Sequence, residues 1–362
     1  MAVSRRCEAA CGDAPKQPLV IGDDHPVKIR PPPECFRTPC PERAQYSDGG
    51  PGTRVPPNRA RQREHARSFL TDVGAPPARL PCAHEHHRCM PRHPGCLAMR
   101  NAVITGSGSG IGLAATSTLV ARGWRVIGVD QRDADVVADL RQRAERVRAC
   151  SEVEQHCEGR ADAAITCAGV SAFAGFGGDD VVSINYFGTV EVLNGLRPLL
   201  TRGTDTAVVV ISSNSATTAP GIDDALLAAC LDGDETYARR LGLDAGPAIA
   251  YAASKLALAR WVRRNASKGE WIGEAITLNA IAPGLIDTPM TRAMREIPAA
   301  AAMMDKAPPL VGRPGQPIEV AELAAYMVGP SARFMVGSVV YLDGGKDALI
   351  RADDWPAPRR PR

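Results

Sequence analysis

The chain has 362 residues, and its 43 Lys and Arg against 40 Asp and Glu leave a net charge of only +3. This balance does not favour a nucleic-acid-binding surface, and no run of about 18 apolar residues suggests a membrane span. The first residues also lack the apolar stretch of a secretory signal. Seven of the eleven cysteines precede residue 99, and the later four show no paired spacing. We therefore expect a reduced, cytoplasmic protein.

Residues 1–98 differ in composition from the rest of the chain. They hold 15 of the basic and 10 of the acidic side chains, and proline pairs and triplets interrupt any helix. No stretch alternates as a strand would, so we predict a disordered N-terminal extension. Met99 directly precedes a strand-like run. We therefore expect translation to start at Met99, with the preceding residues a start-site artefact.

One segment of this extension is rich in metal-ligating side chains. Cys82, His84, His86, His87 and Cys89 lie close together, and such ligands could bind zinc. The alternative is a compositionally biased run without a metal. We favour that alternative and predict no metal site.

From residue 101 onward, short apolar runs alternate with helical patterns. The predicted strands are Ala102–Thr105, Arg125–Val129, Ala163–Thr166, Thr206–Ile211, Ile276–Ile281 and Ser338–Leu342. The clearest predicted helices are Leu113–Arg122, Val181–Leu199 and Ala248–Asn265. This alternation predicts an α/β fold, a doubly wound parallel sheet of the Rossmann type in a single domain over residues 99–362. Ligands of such sheets bind at the carboxyl ends of the strands.

A glycine-rich loop, TGSGSGIG at Thr105–Gly112, follows the first predicted strand and precedes the first helix. Glycines allow the backbone to approach a pyrophosphate closely, and the helix N-terminus offers it unpaired N–H groups. The strand–loop–helix context favours this over a flexible linker. We predict that the cofactor contacts Gly106, Ser109, Gly110, Ile111 and Gly112.

Asp130 ends the second predicted strand, where an acidic side chain can bind the ribose 2′-hydroxyl. Its carboxylate would repel a 2′-phosphate, and Ser109 supplies no basic partner for one, so we predict NAD as cofactor. Arg132 could instead turn toward a 2′-phosphate, although a solvated charge is the interpretation we favour. Asp139 and Leu140 follow closely and are expected beside the adenine.

Tyr251 and Lys255 occupy i and i+4 positions of a predicted helix and therefore share one face. A neighbouring ammonium favours the phenolate, so we expect Lys255 to lower the pKa of Tyr251 toward neutrality. Tyr251 could then act as general base or acid on an alcohol or carbonyl. Ser213 ends a strand at the same predicted edge. Asn185 interrupts an apolar helix, either to relay a water to Lys255 or as an ordinary core amide.

These motifs resemble the short-chain dehydrogenase/reductase family. TGxxxGIG, CAG, NYFG, ISS, YxxxK, NxIAPG and DGG occur in family order across essentially all of residues 99–362. The resemblance implies a catalytic tetrad of Asn185, Ser213, Tyr251 and Lys255, the last two also touching the cofactor. It further implies cofactor contacts from Gly106, Ile111, Asp130, Asp139, Leu140, Ala168, Gly169, Pro283 and Thr288. Thr166 and Cys167 depart from the two asparagines usual before the alanine and glycine.

Within the family, the chain resembles the bacterial 3α-hydroxysteroid dehydrogenase/carbonyl reductases and the coniferyl-alcohol dehydrogenases. Ser213 and Tyr251 are 38 residues apart, farther than in most members. The excess, about residues 220–247, reads as two short helices around Asp232 and Gly233 and is similar to the insertion of that subgroup. Because it would crowd the helices used in tetramers, we expect a homodimer through the last helix and strand.

The segment over residues 289–310 is rich in methionine and alanine. Methionine adapts to irregular apolar shapes, so a helical lid here suits a hydrophobic alcohol or ketone such as a 3-hydroxysteroid. An aromatic alcohol of the coniferyl type is the alternative, and the same residues could simply pack the lid on the domain. A non-catalytic dinucleotide-binding regulator is the competing function class, which the intact tetrad disfavours.

Overall fold

The computed structural model of the protein describes residues 99–306, 308–355 and 358. The predicted extension over residues 1–98, with its cysteine- and histidine-rich run, lies outside these residues. No helix in the described part of the chain is long and apolar enough to cross a membrane.

A seven-stranded, fully parallel sheet forms the centre of the fold, in the order β3-β2-β1-β4-β5-β6-β7. The strands are β1 (Asn101–Thr105), β2 (Arg125–Asp130), β3 (Val136–Val137), β4 (Ala163–Thr166), β5 (Ala207–Ile211), β6 (Thr277–Pro283) and β7 (Val339–Leu342). The strand order reverses at β1: strands β2 and β3 lie on one side of it, and β4 to β7 lie on the other. The predicted doubly wound sheet is confirmed.

Helices cover both faces of the sheet. They are α1 (Gly110–Ala121), α2 (Arg143–His156), α3 (Gly178–Val182), α4 (Gly188–Leu200), α5 (Ser215–Thr218), α6 (Asp224–Asp232), α7 (Glu235–Ala245), α8 (Pro247–Asn265), α9 (Pro289–Arg295), α10 (Pro298–Lys306), α11 (Pro317–Met327) and α12 (Lys346–Ile350). One apolar core joins the sheet to α2, α4, α6 and α8. The other joins it to α1 and α11. Parallel strands buried on both faces explain why their sequences read as continuous apolar runs.

Two local features differ from the sequence-based expectation. The short strand β3 was missed, because two residues are too few for any periodicity to register. The single helix expected over Val181–Leu199 is divided into α3 and α4 by a π-helical turn at Ser183–Phe187. Such turns insert a residue into the helical ladder and commonly occur at functional sites. Asn185 lies at the centre of this one.

Residues 220–247 contain the two helices α6 and α7, each capped by an aspartate. The Asp223 side chain accepts hydrogen bonds from two backbone N–H groups of the first turn of α6, and Asp234 accepts one at the start of α7. Gly233 joins the helices with φ of 81°, a left-handed conformation that favours glycine. Helix α7 then crosses α3 where Gly178 meets Gly242, so closely that a side chain on either glycine would strike the other's carbonyl oxygen.

Candidate active site

The glycine loop is held tightly between its neighbouring strands. The Gly106 N–H donates to the Val129 carbonyl at 2.8 Å. A Cβ on Gly106 would come within 2.6 Å of the Ala168 nitrogen, and one on Gly112 would collide with the Gly106 carbonyl. The loop therefore requires glycine at both positions for steric reasons, as its sequence pattern suggested.

A cleft of about 260 Å³ opens over this loop at the carboxyl ends of the strands. The predicted cofactor residues that line it are Gly106, Ser109, Gly110, Ile111, Gly112, Asp130, Leu140, Ala168, Gly169 and Thr288. Sequence reasoning missed Ala138, Ile184, Pro289 and Met290, which also line it. Ala138 follows the undetected strand β3, and Ile184 belongs to the unexpected π-helical turn, so neither carried a usable signal.

Asp130 joins the end of β2 to the glycine loop. One carboxylate oxygen accepts from the Gly108 N–H at 2.9 Å, and the other accepts from the Gln131 N–H at 2.6 Å. The side chain therefore stands at the rim of the cleft with its negative charge over the loop. Arg132 also lines the cleft but is exposed.

Three predicted cofactor residues have other partners in this structure. The Asp139 carboxylate accepts from the Arg141 guanidinium at 2.9 Å and is absent from the residues that line the cleft. Pro283 is also not part of the lining; it is the last residue of β6, and its carbonyl accepts from the Asn214 N–H at 2.9 Å. Thr288 does line the cleft, and its hydroxyl caps α9.

The predicted catalytic side chains meet at the carboxyl end of β5. Lys255, on α8, is 6% exposed, and its Nζ donates to the Ile211 carbonyl at 3.0 Å. The Ser212 hydroxyl donates to the Lys255 carbonyl at 2.7 Å, which fixes α8 against the strand. Nζ lies 5.9 Å from the centre of the Tyr251 ring. Ser213 is 8% exposed, and its hydroxyl accepts from the Ser215 N–H at 3.2 Å.

Burial dominates the ionisation of both helix residues. It lowers the pKa of Lys255 to about 8, against an opposing effect from Cys167. It raises the pKa of Tyr251 above its ordinary value, opposed in part by the Ser213 hydroxyl. The expectation that Lys255 lowers the pKa of Tyr251 toward neutrality is therefore wrong. The reason is that the ammonium is directed toward the Ile211 carbonyl while the phenol loses solvation.

Asn185 is completely buried, and its amide is satisfied by the backbone. Oδ1 accepts from the Val170 N–H at 2.8 Å, and Nδ2 donates to the Val170 carbonyl at 3.0 Å. A Cβ on Gly169 would lie 2.9 Å from Asn185 Oδ1 and 3.5 Å from Lys255 Nζ. Asn185 thus fixes the segment that follows β4 directly beside Lys255. The sequence had left open a water relay to Lys255 or an ordinary core amide, and in this structure both amide atoms bind the Val170 backbone.

Comparisons with known proteins agree with this geometry. Residues 100–222 match the family model described as short chain dehydrogenase, and residues 235–347 match the model described as Enoyl-(Acyl carrier protein) reductase. A 3-alpha-hydroxysteroid dehydrogenase/carbonyl reductase from Comamonas testosteroni is 36% identical over 252 residues, 69% of this chain and 97% of that protein. The chain belongs to the short-chain dehydrogenase/reductase family. It is accordingly an oxidoreductase, and the predicted resemblance is confirmed.

Solved structures place the chain among the same enzymes. The crystal structure of a 3-alpha-hydroxysteroid dehydrogenase from Pseudomonas sp. B-0831 with NADH has a TM-score of 0.67 and 39% identity, over 70% of this chain and 99% of that one. An active-site complex of Pseudomonas aeruginosa RhlG with NADP has a TM-score of 0.54 and 28% identity, over 69% and 97%. Both nicotinamide cofactors therefore occur among the relatives.

No group of three or more His, Cys, Asp or Glu side chains within residues 99–306, 308–355 and 358 is arranged to hold a metal ion. Independently of this, the fold and the comparisons support a nicotinamide cofactor.

Proposed function

We propose that the protein interconverts an alcohol and its carbonyl compound with NAD(H) as hydride carrier. The observation that carries this proposal is the convergence of Ser213, Tyr251 and Lys255 at the end of β5, on the sheet edge that also bears the glycine-loop cleft. Bound NAD(H) would supply or accept the hydride. A non-catalytic regulator would not need these three side chains together.

The chain's own residues would handle the proton and the substrate oxygen. Tyr251 donates its phenolic proton to the carbonyl oxygen in reduction and withdraws it from the hydroxyl in oxidation. The Ser213 hydroxyl donates a hydrogen bond to the same oxygen. Lys255 holds a positive charge near the phenolate that forms, and Asn185 keeps the segment after β4 in place beside it.

The preference for NAD over NADP rests on Asp130. Its carboxylate stands at the cleft rim, where a 2′-phosphate would meet a like charge without a basic residue at Ser109 to offset it. Exposed Arg132 carries the opposite sign nearby and is the residue that could admit NADP. The Asp130 carboxylate is held in place by the Gly108 and Gln131 N–H groups, whereas the Arg132 side chain is exposed to solvent.

The lid favours a hydrophobic substrate. Helices α9 and α10 belong to the segment that follows Pro283, and Met290 of α9 lines the cleft. Met304 is 7% exposed and packs the lid, whereas Met303 is 53% exposed. With two relatives named for 3-alpha-hydroxysteroid activity, a 3-hydroxysteroid is the substrate class we propose first, and a coniferyl-type alcohol is the second.

The proposed activity is tested by measuring reduced-cofactor formation with hydroxysteroids, cinnamyl-type alcohols and small aliphatic alcohols, each with NAD and with NADP. We expect turnover with a hydroxysteroid, and a kcat/KM about tenfold or more higher with NAD, since a misplaced charge costs at least this much. Turnover confined to small aliphatic alcohols would refute the substrate class. A preference for NADP would refute the role of Asp130.

We further propose a homodimer through α11 and β7. Strand β7 lies at an edge of the sheet, and apolar side chains on α11 and in the segment before β7 are exposed: Tyr326 is 47% exposed, Val336 38%, and Phe334 entirely. Burying such side chains drives association. Sedimentation velocity should give a dimer for the wild type and a shift toward monomer for Phe334→Glu, with Leu243→Glu on α7 as control. A stable wild-type tetramer would contradict this arrangement.

The four cysteines within residues 99–306 fit a reducing compartment. Cys150, Cys157, Cys167 and Cys230 are all free thiols. Burial raises the pKa of Cys150 to about 11 and that of Cys167 to about 12, so both remain protonated at neutral pH. We propose a cytoplasmic setting on this basis; recovery of the native protein from an extracellular fraction would contradict it.

A further inference from the structure

A buried arginine on α2 lies where the helical insertion meets the cofactor cleft. The Arg146 side chain is 1% exposed, and all of its guanidinium nitrogens donate hydrogen bonds. Removing a charge from water is costly unless its hydrogen bonds and its charge are both satisfied. The partners of this guanidinium therefore show which parts of the fold it joins.

The insertion supplies the principal counter-charge. Glu235, the first residue of α7, binds Arg146 with both carboxylate oxygens, each at 2.8 Å from a guanidinium nitrogen. The Ser183 hydroxyl donates to the same carboxylate at 2.6 Å. Burial works to raise the pKa of Glu235, but these hydrogen bonds hold it below its ordinary value, so the carboxylate is charged at neutral pH. Glu191 on α4 is a second partner at 3.0 Å.

The same guanidinium also holds a wall of the cleft. Arg146 Nε donates to the Leu140 carbonyl at 2.6 Å, and a terminal nitrogen donates to the Arg141 carbonyl at 3.1 Å. Leu140 lines the cleft together with Ala138, whose N–H donates to the Asp130 carbonyl at 2.8 Å. The segment is thus fixed at both ends, by β2 and by Arg146.

Strand order shows which end of the cofactor this wall would face. Leu140 follows β3, and the order β3-β2-β1-β4-β5 puts three strands between β3 and β5. Because Ser213 follows β5, the wall at Leu140 lies on the far side of the cleft from the reacting groups. It would therefore contact the adenosine half of the dinucleotide.

We propose that Arg146 and Glu235 form a positioning pair, through which the helical insertion holds the Leu140 wall of the cleft in the conformation that binds the adenosine half of the cofactor. This inference rests on the proposed function. Neither residue would touch the cofactor. Their effect passes through the Leu140 carbonyl, which no other side chain described here is seen to bind.

The test measures the affinity of the full-length protein for NADH by fluorescence and for ADP-ribose by calorimetry. Glu235→Gln keeps the shape of the side chain but removes its negative charge, so that Glu191 is the acidic partner left to Arg146. Arg146→Lys keeps the charge but cannot bind the Leu140 and Glu235 groups together. We expect each variant to raise both dissociation constants about tenfold, the order of effect of a buried charged hydrogen bond. With saturating cofactor, kcat should remain within about twofold.

Arg239→Gln is the matched control. Arg239 lies on α7, as Glu235 does, and binds Asp179 and Asp180 on α3 at 3.2 and 3.0 Å. It therefore attaches the insertion to α3 without contacting the wall at Leu140. We expect it to lower the melting temperature and to leave both dissociation constants within about twofold of wild type. Glu235→Asp should restore part of the lost affinity, because it returns the charge.

Unchanged NADH and ADP-ribose affinity in both folded variants would overturn the proposal. So would a loss confined to NADH, since ADP-ribose contains the adenosine half, or an equal loss in Arg239→Gln. Should Glu235→Gln fail to give a cooperative melt, Arg146→Lys and Glu235→Asp decide the matter by the same criteria. A wild-type protein that binds neither NADH nor NADPH would instead refute the proposed function itself.

Discussion

Replacing Tyr251 with phenylalanine is expected to lower kcat about a thousandfold while leaving NADH affinity within about twofold of wild type. The substitution removes one hydroxyl from a side chain on α8 whose ring remains packed against the core. Proton transfer to the substrate oxygen then has no donor, whereas the glycine loop and Asp130 are untouched. Turnover under saturating cofactor and NADH fluorescence titration measure the two effects separately.

Tyr237→Phe is the control for this change. Tyr237 lies on α7 and is 40% exposed, so loss of its hydroxyl should leave kcat unchanged. A Tyr251→Phe enzyme that retains wild-type turnover would remove Tyr251 from the mechanism. Loss of NADH affinity equal to the loss of turnover would instead assign Tyr251 to cofactor binding alone.

The second large effect concerns the pH dependence of stability at Lys255. Burial lowers the pKa of this ammonium to about 8 in the folded protein, against 10.5 as its ordinary value. Between these two values the unfolded chain binds a proton that the folded chain has lost, so the free energy of unfolding rises with pH. Relative to Lys255→Met, the wild type should gain about 2 kcal/mol between pH 7 and pH 9.5.

Urea denaturation of the wild type and of Lys255→Met at pH 7 and pH 9.5 gives four free energies of unfolding. The change with pH in the wild type minus the change with pH in the variant is the quantity predicted. The comparison cancels the titration of Cys167 and Tyr251 in the unfolded chain, and burial raises the pKa of both in the folded protein above this pH range. The loss of the hydrogen bond to Ile211 is common to both pH values. Lys268→Met, at an exposed lysine, should show no such pH effect. A parallel pH response of wild type and Lys255→Met would mean that Lys255 is not destabilised by burial. Lys255→Met should also lose turnover, because the substitution removes a proposed catalytic residue whose burial lowers the stability of the wild type.

Much of the fold was predictable because its signals are local. The predicted strand Ala163–Thr166 has the observed limits. The other five predicted strands lie within a few residues of those observed. The two helices expected around Asp232 and Gly233 are also present, since a left-handed glycine between aspartate caps is a strong local signal. In each case neighbouring residues alone specify the backbone conformation.

Other details of the site were not predictable from sequence patterns. Asp139 has the spacing of a cofactor ligand and stays a predicted one, while its carboxylate accepts from Arg141. Lys255 has the spacing to activate Tyr251, yet burial raises the pKa of the phenol. Asn185 interrupts a helix as expected, and its amide is paired with the Val170 backbone, a partner that the local sequence did not indicate. The pairing of Asn185 and the burial of Tyr251 depend on other elements of the fold, whereas the Asp139–Arg141 pair is local in sequence.

The sequence by itself determined the doubly wound sheet, the glycine loop with Asp130, and the helix that carries Tyr251 and Lys255. Periodicity, turn chemistry and the steric demands of glycine act over a few residues and need no knowledge of the rest of the chain. The tertiary structure decided which carboxylates and amides are already paired, how burial alters the pKa of Lys255 and Tyr251, and that Arg146 connects the insertion to Leu140. Hydrogen bonding and desolvation depend on atoms brought together from distant parts of the chain, so only the folded arrangement specifies them.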